Sequence, residues 1–142
     1  MKKRPHRIIR TRGQRIAWTN TSRIPDKELI EAVKFVAAEV DLDKVVIHFK
    51  AMGDDSATYG RAYGGIPTIA NLDGLKRHEW RYLIIVRDQG IGQVSPRFIN
   101  TLAHEGKHIE QFRGRNYTSR EPRARAFGAW VADRWEAAQA VS

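Results

Sequence analysis

Apolar residues recur at helical spacing in three segments of the chain, and the first of these covers about 25–40. Its apolar positions are Leu29, Ile30, Val33, Val36, Ala37 and Val40. Asp26 and Glu28 follow Pro25, and acidic side chains in an opening turn stabilise a helix through its dipole. The pattern therefore predicts an amphipathic N-terminal helix.

The other two apolar segments predict helices near the end of the chain. Ser95 can cap free amides and Pro96 is tolerated at a first helical position, so we expect a helix from Ser95-Pro96 to Gly114. Its apolar stripe is Phe98, Leu102, Ile109 and Phe112. We expect a last helix over about 120–139. Its buried stripe is expected to be Phe127, Val131, Trp135 and Ala138.

Between the first two helices the pattern changes to that of β-strands. The runs 45–50 and 80–87 are rich in β-branched and aromatic residues, which predicts a strand in each. Residues 58–72 combine glycines and Pro67 with aromatic and β-branched residues, a pattern typical of irregular or edge strands. The order of these elements predicts an α+β domain, with a small mixed sheet and segregated helices.

The composition fits one globular domain. A chain of 142 residues has the usual size, and 42% hydrophobic and 29% charged residues allow a packed core. The absence of cysteine leaves histidine and carboxylate as the strong metal ligands. No apolar run approaches the ~20 residues of a membrane span, and residues 1–15 lack the apolar stretch of a secretory signal. The expected location is therefore cytoplasmic.

Positive charge is concentrated at the N-terminus. The formal net charge is +9, and residues 1–15 contain seven of the basic side chains and no acidic one. We expect a basic arm over 1–15 followed by a single domain over 16–142. Two interpretations of the arm stay open, since it could be only a solvated tail or could bind an acidic partner such as nucleic acid.

The chemistry is concentrated in His104-Glu105-Gly106-Lys107-His108, which has the form H-E-x-x-H within the second predicted helix. Residues four apart on a helix lie ~40° apart around its axis, so both imidazoles can reach one ion. Glu105 can then accept a proton from zinc-bound water. The motif predicts a hydrolytic zinc site with Glu105 as general base. The alternative is a chance match on a surface helix, where Glu105 pairs with a neighbouring basic residue.

A catalytic zinc site usually has three protein ligands and an open position, so a third ligand is needed. No histidine follows His108, and Gln111 stands where a longer three-histidine motif has glycine. Among the downstream acids, Glu110 points ~160° away from His108 on its helix. Of the others, Glu121 lies nearest the apolar border of the last helix, which a short loop can fold back on the motif helix.

Two alternatives to Glu121 as ligand remain open. Thr118 and Glu121 have the spacing of a capping box, although Pro122 disfavours helical geometry at the residue before it. The reserve ligands are the upstream histidines, each of which has a structural or solvated interpretation when taken alone: His6, His48 and His78.

The motif, Gln111, Glu121 and the run Arg123–Phe127 resemble the minigluzincins, a group of short zinc-dependent peptidases, over about residues 98–130. The resemblance implies a zincin-like fold, with His104, His108 and Glu121 binding zinc and Glu105 as general base. It also implies an edge strand that holds extended peptide. The chain departs from the group at Arg123-Ala124, where relatives often carry another acid.

The leading hypothesis is zinc-dependent peptide-bond hydrolysis of a peptide or protein substrate, with one zinc ion per chain. We look for the peptide-binding edge strand within 58–72. Tyr59, Tyr63 and Tyr117 could donate to an oxyanion, but such a tyrosine is more often a packed or half-buried aromatic residue, so none is assigned. The alternative is a basic module that binds nucleic acid or protein and carries a structural or non-catalytic zinc. A third hypothesis is a peptidase whose cleft is completed by a partner.

Overall fold

The computed structural model describes residues 5–53, 58–115 and 120–141, and these form an α+β fold. A five-stranded mixed sheet and three α-helices account for its regular structure, which confirms the predicted α+β class. In chain order the elements are β1 (Arg7–Thr11), β2 (Gln14–Thr21), α1 (Asp26–Ala37), β3 (Val45–Lys50), β4 (Gly60–Tyr63), β5 (Tyr82–Arg87), α2 (Pro96–Gly114) and α3 (Arg120–Ala140).

The sheet has the strand order β1-β2-β3-β5-β4. Strands β2, β3 and β5 are parallel, while β1 and β4 are antiparallel edge strands that pair with β2 and β5. The edge strand predicted within 58–72 is therefore present, although only Gly60–Tyr63 adopts strand geometry. The central strand β3 is buried along almost its whole length because both faces of the sheet are covered.

The helices cover one face of the sheet and form the main core. Alternate strand residues such as Ile47 and Ile84 pack against α1 and α2, whose inward positions include Val33 and Leu102. A smaller apolar cluster on the other face joins Val46 and Leu83 to the segment between β4 and β5. Among the described residues, no helix is both long and apolar enough for a membrane span.

The predicted N-terminal arm is wrong for residues 7–15. They form β1 and the start of β2, joined by a tight turn in which Arg12 and Gly13 both have positive φ. Ile9 is buried while Arg7 and Arg10 are exposed, so these basic residues belong to a paired strand of the sheet. The predicted domain boundary after residue 15 falls inside β2. Residues 1–4 of the predicted arm lie outside the described residues.

The predicted buried stripe of the last helix is confirmed in part. Of the four predicted positions, Val131 is buried, Phe127 and Trp135 are half-buried and pack against the main core, and Ala138 is exposed. The buried positions on α3 are Ala124, Gly128, Val131 and Ala132. Small side chains occupy this face because α3 packs closely against α2, so the aromatic side chains are displaced to its margins.

Gly128 marks a close approach between the two helices. A Cβ atom built there would lie 2.8 Å from the carbonyl oxygen of Asn100 and 2.4 Å from its Oδ1. A backbone carbonyl cannot rotate away, so any side chain at this position forces α3 to move.

We expect Gly128→Ala to lower the free energy of unfolding by ~1–3 kcal/mol, because the added methyl group overpacks the contact between α2 and α3. Urea denaturation measures the change. Gly114→Ala is the matched control, since a Cβ there meets nothing within 4 Å and the helical alanine should be neutral or slightly stabilising. Equal stability of both variants would contradict the close approach.

Asp88 links three loops at the carboxyl end of the parallel strands. Its buried carboxylate accepts hydrogen bonds from the backbone N–H groups of Arg23, Met52 and Gly90, at 2.8, 3.0 and 2.9 Å. Burial by itself raises the pKa of Asp88, but these donors and the Arg23 guanidinium outweigh it and lower the pKa overall. The charged carboxylate therefore stabilises the folded state.

We expect Asp88→Asn to lower the free energy of unfolding at neutral pH by ~1.5–3 kcal/mol, as is usual for hydrogen bonds to a charged group. Because the folded-state pKa lies below the unfolded value near ~3.9, the difference from wild type should be full above that value and disappear as the pH falls below it. Urea titrations at several pH values measure this. The exposed Asp133→Asn should show no such trend, and a pH-independent loss in Asp88→Asn would contradict the mechanism.

Candidate metal centre

Helix α2 places His104 and His108 one turn apart on the same side. It begins as the sequence predicts, with Ser95 Oγ accepting a hydrogen bond from the Phe98 N–H at 3.1 Å and Pro96 at the first helical position. The two Nε2 atoms are 3.2 Å apart. His108 is buried and His104 is half-buried, so the pair lies at the border between core and solvent.

Glu121, in the first turn of α3, faces both imidazoles. Its Oε1 is 2.7 Å from His108 Nε2, and its Oε2 is 3.4 Å from His104 Nε2. Among the described residues these three form a group whose potential ligand atoms all lie within 4.8 Å of one another. The structure therefore brings together the three residues that the sequence singles out as ligands.

The spacing of these atoms suits a tetrahedral zinc ion. Ligands bonded to zinc at ~2.0–2.2 Å lie ~3.3 Å apart in such a site. The distances from His104 Nε2 to the other two ligands match this value, whereas the separation of His108 and Glu121 is that of a hydrogen bond. A small rotation of the exposed Glu121 side chain separates them further.

Gln111 determines which nitrogen of His108 faces the site. The Nδ1–H of His108 donates to Gln111 Oε1 at 2.9 Å, because an amide oxygen can only accept. The neutral ring then has its lone pair on Nε2, the atom that faces Glu121 and His104. The Gln111 amide nitrogen donates in turn to the Arg120 carbonyl at 3.1 Å. Gln111 is buried, and it connects the histidine on α2 with the first residue of α3.

The donor set requires a positive charge at its centre. A lone pair on His108 Nε2 and a Glu121 carboxylate oxygen repel each other at 2.7 Å unless a proton or a cation lies between them. At His104, burial and the neighbouring His108 lower the pKa, and this exceeds the opposite effect of Glu121. Neutral imidazole, the form that binds metal, is therefore favoured at His104.

Glu105 is about as buried as His108, with only 8% of its surface exposed. Burial, followed by the negative charge of Glu121, raises the pKa of Glu105 to about 7. Gly60 on β4 leaves room for the carboxyl, since a Cβ there would lie 3.1 Å from Glu105 Oε2. A carboxyl with such a pKa can take up and release a proton near neutral pH.

The site opens into a cleft of about 330 Å³ between β4, α2 and α3. Glu105 and the two histidines line its base, and Gly60 and Ala62 belong to its strand wall. The rest of the lining consists of Phe112 from α2 and of Arg120 and Glu121 from α3. A small molecule or an extended segment of chain can reach the potential ligands through this cleft.

The reserve histidines do not join this site. His6 and His48 form a separate pair, with Nε2 atoms 3.0 Å apart, and each ring also contacts a backbone carbonyl. His48 lines a cavity of about 400 Å³ that His104 and His108 do not line, and burial and the nearby His6 and Lys50 lower its pKa to about 4. His78 is exposed in a 3₁₀ turn.

The other predicted candidates lie outside the cleft lining or outside the described residues. Glu110 pairs with Lys107 at 2.6 Å, on the exposed side of α2. Tyr59 and Tyr63 contact the guanidinium groups of Arg97 and Arg61, and neither is among the residues that line the cleft. Tyr117, the third tyrosine candidate, lies outside the described residues. The same holds for Thr118, the first residue of the predicted capping box.

Sequence reasoning missed Gln111 and Gly60 as contributors to the site. In the sequence Gln111 excludes a longer motif and belongs to the residues that resemble the minigluzincins, but no role in orienting His108 is predicted for it, although an amide three residues after His108 on the same helix can reach its ring. Gly60 is one of several glycines in 58–72 that turns can explain. No local signal indicates that it faces Glu105, because that contact joins a strand and a helix 45 residues apart in the chain.

Comparison of the chain with protein-family models, with curated proteins and with solved structures gives no match.

We expect Gln111→Ala to weaken zinc binding by ~10–100-fold, because His108 loses the acceptor that orients its ring. Competition with a chelating dye measures the affinity, and thermal unfolding of the metal-free variant shows whether it is folded. Glu110→Ala, one residue away on the exposed side of α2, should bind zinc as wild type does. Unchanged affinity in a folded Gln111→Ala variant would remove Gln111 from this positioning role.

Proposed function

We propose that this chain is a zinc-dependent peptidase that hydrolyses amide bonds in extended polypeptide. One observation carries the proposal: Glu121, from a separate helix, converges with His104 and His108 beside a buried glutamate. A chance motif on a surface helix has no reason to meet a third ligand in this geometry. The likeness to minigluzincins over 98–130 points to the same chemistry.

His104, His108 and Glu121 would hold the ion, one per chain. Bound zinc supplies Lewis acidity, polarising a carbonyl and lowering the pKa of water to ~7. Three protein ligands leave a fourth position open, as in catalytic sites, whereas structural zinc usually has four protein ligands. Since the described residues offer three ligands beside a cleft, they favour hydrolysis over the alternative of a structural zinc in a binding module.

Glu105 would act as the general base and then as the proton donor. Its carboxyl lies in the lining of the cleft, next to the potential ligands but with its own burial and pKa. In the metal-loaded site the Glu105 carboxyl would be charged and would accept a proton from the attacking water. The same carboxyl can then pass this proton to the leaving amine.

Strand β4 would hold the substrate. It pairs with β5 on one side, and among the described strands nothing pairs with its other side. The backbone groups of such an edge can bind an extended peptide as an additional strand. Gly60 and Ala62, which line the cleft, are small enough to let a peptide backbone approach the base. These features support polypeptide, rather than a compact metabolite, as the substrate class.

We expect Glu105→Gln to lower cleavage of an unstructured polypeptide by ~10²–10⁴-fold, because the amide cannot accept the proton. Elemental analysis should still find about one zinc per chain, since the ligand set is unchanged. Glu110→Gln, on the same helix but outside the cleft, should retain wild-type cleavage. Undiminished hydrolysis by zinc-loaded Glu105→Gln would exclude Glu105 as the base, and absence of zinc from folded wild type would exclude the proposed function.

A further inference from the structure

The cleft continues as a groove in which β4 runs alongside α2 in the same direction. Near its start, a Cβ on Gly60 would lie 2.7 Å from Thr101 Cγ2. Just beyond its end, a Cβ on Gly64 would lie 3.3 Å from the Phe112 ring. His104 and His108 lie on α2 between these two contacts. A peptide along β4 therefore crosses the potential metal ligands near the middle of the groove.

Three arginine side chains near this groove are stacked on aromatic rings. At its start Arg97, in the first turn of α2, lies 5.7 Å from the Tyr59 ring. On the strand itself Arg61 lies 5.0 Å from the Tyr63 ring, and both side chains lie on the face of β4 opposite to Gly60 and Ala62. At the far end, Arg120 lies 5.1 Å from the Phe112 ring. Stacking fixes the plane of a guanidinium group.

The groove and its margin have more positively than negatively charged side chains. Arg61 and Arg97 are exposed, and neither forms an ion pair with any described residue. Of the carboxylates in the cleft lining, Glu121 belongs to the ligand set and Glu105 to the proposed base. Arg125 adds a third exposed guanidinium, 4.0 Å from Glu121. The cleft lining itself holds two arginines and two glutamates, so the positive excess comes from exposed guanidinium groups at its margin, which attract ligands of negative charge.

We propose that the substrate is an acidic polypeptide, with Asp or Glu side chains on both sides of the cleaved bond. This inference rests on the proposed peptidase function. Arg97 at one end and Arg61 on the strand would each bind a carboxylate of the extended chain, and Arg120 would lie near residues at the far end. Planar guanidinium groups bind carboxylates through two parallel hydrogen bonds.

Nucleic acid is the other polyanion that such a groove could attract, and two observations favour polypeptide. The free edge of β4 presents backbone donors and acceptors at strand spacing, which a peptide can match. Tyr59, Tyr63 and Phe112, the rings on which bases would have to stack, each already contact a guanidinium group.

Binding to the zinc-loaded Glu105→Gln variant of the full chain tests the inference without cleavage. The probes are three fluorescent, unstructured peptides of one length, rich in Asp and Glu, in Asn and Gln, or in Lys. By fluorescence anisotropy we expect the acidic peptide to bind about tenfold more tightly than the neutral one, and the Lys-rich peptide to bind worst. The preference should shrink as NaCl rises from ~0.05 to ~0.5 M.

Arginine variants test which side chains cause the preference for the acidic peptide. In the same background, Arg61→Gln and Arg97→Gln should each reduce the preference for the acidic peptide by about three- to fivefold, while binding of the neutral peptide stays constant. Arg134→Gln is the matched control, because Arg134 also stacks on an aromatic ring, that of Trp130, but pairs with Glu39 outside the groove. All three side chains are exposed, so the variants should fold, and thermal unfolding checks this.

Three binding results would overturn the inference. The first is equal binding of the acidic and neutral peptides, and the second is an equal loss of the acidic preference in Arg134→Gln. The third is displacement of the acidic peptide by a lower concentration of single-stranded oligonucleotide than of unlabelled acidic peptide. The two proposals fail separately. If wild type cleaves neutral and acidic peptides equally, the substrate class is wrong and the peptidase stands. If the acidic peptide binds selectively but wild type cleaves none, the peptidase is wrong and the acidic-peptide site stands.

Discussion

The packing of α3 against α2 is the contact on which the candidate site depends. Gly128 lets the helices approach at Asn100, and the hydrogen bond from Gln111 to the Arg120 carbonyl joins them near the start of α3. Glu121 follows Arg120 directly, so this contact determines whether a carboxylate faces the two imidazoles. Without it, the histidines on α2 are two ligands short of a typical four-coordinate zinc site.

Strand β4 combines several roles because it is the edge strand next to α2. Ala62 packs against the main core, Gly60 leaves space for Glu105, and Arg61 carries an exposed positive charge on the opposite face of the strand. An edge strand has one side free of pairing, and residues of β4 line the cleft together with the potential metal ligands. Peptide binding and proton transfer can therefore be combined at one side of the sheet.

The places where sequence reasoning failed have a common physical origin. Residues 7–15 were assigned to an arm because a run of basic side chains hides the single buried position, Ile9, and a charge count does not register strand pairing. On α3, the periodicity of large apolar residues favoured Phe127 and Trp135. The face that packs is the one with small residues, since close helix contact excludes bulk, and hydrophobicity alone does not reveal this.

Local features can be predicted from the amino-acid sequence alone: the capped start of α2, the strands 45–50 and 80–87, and two imidazoles one turn apart. These follow from helix and strand periodicity, which acts over a few residues. Elimination among the downstream acids also favours Glu121. The folded chain is needed to show that Glu121 meets His104 and His108, that Gln111 orients His108, and that Glu105 is buried beside Gly60 with a raised pKa. Those features depend on contacts between separate elements and on desolvation, which exist only once the chain is packed.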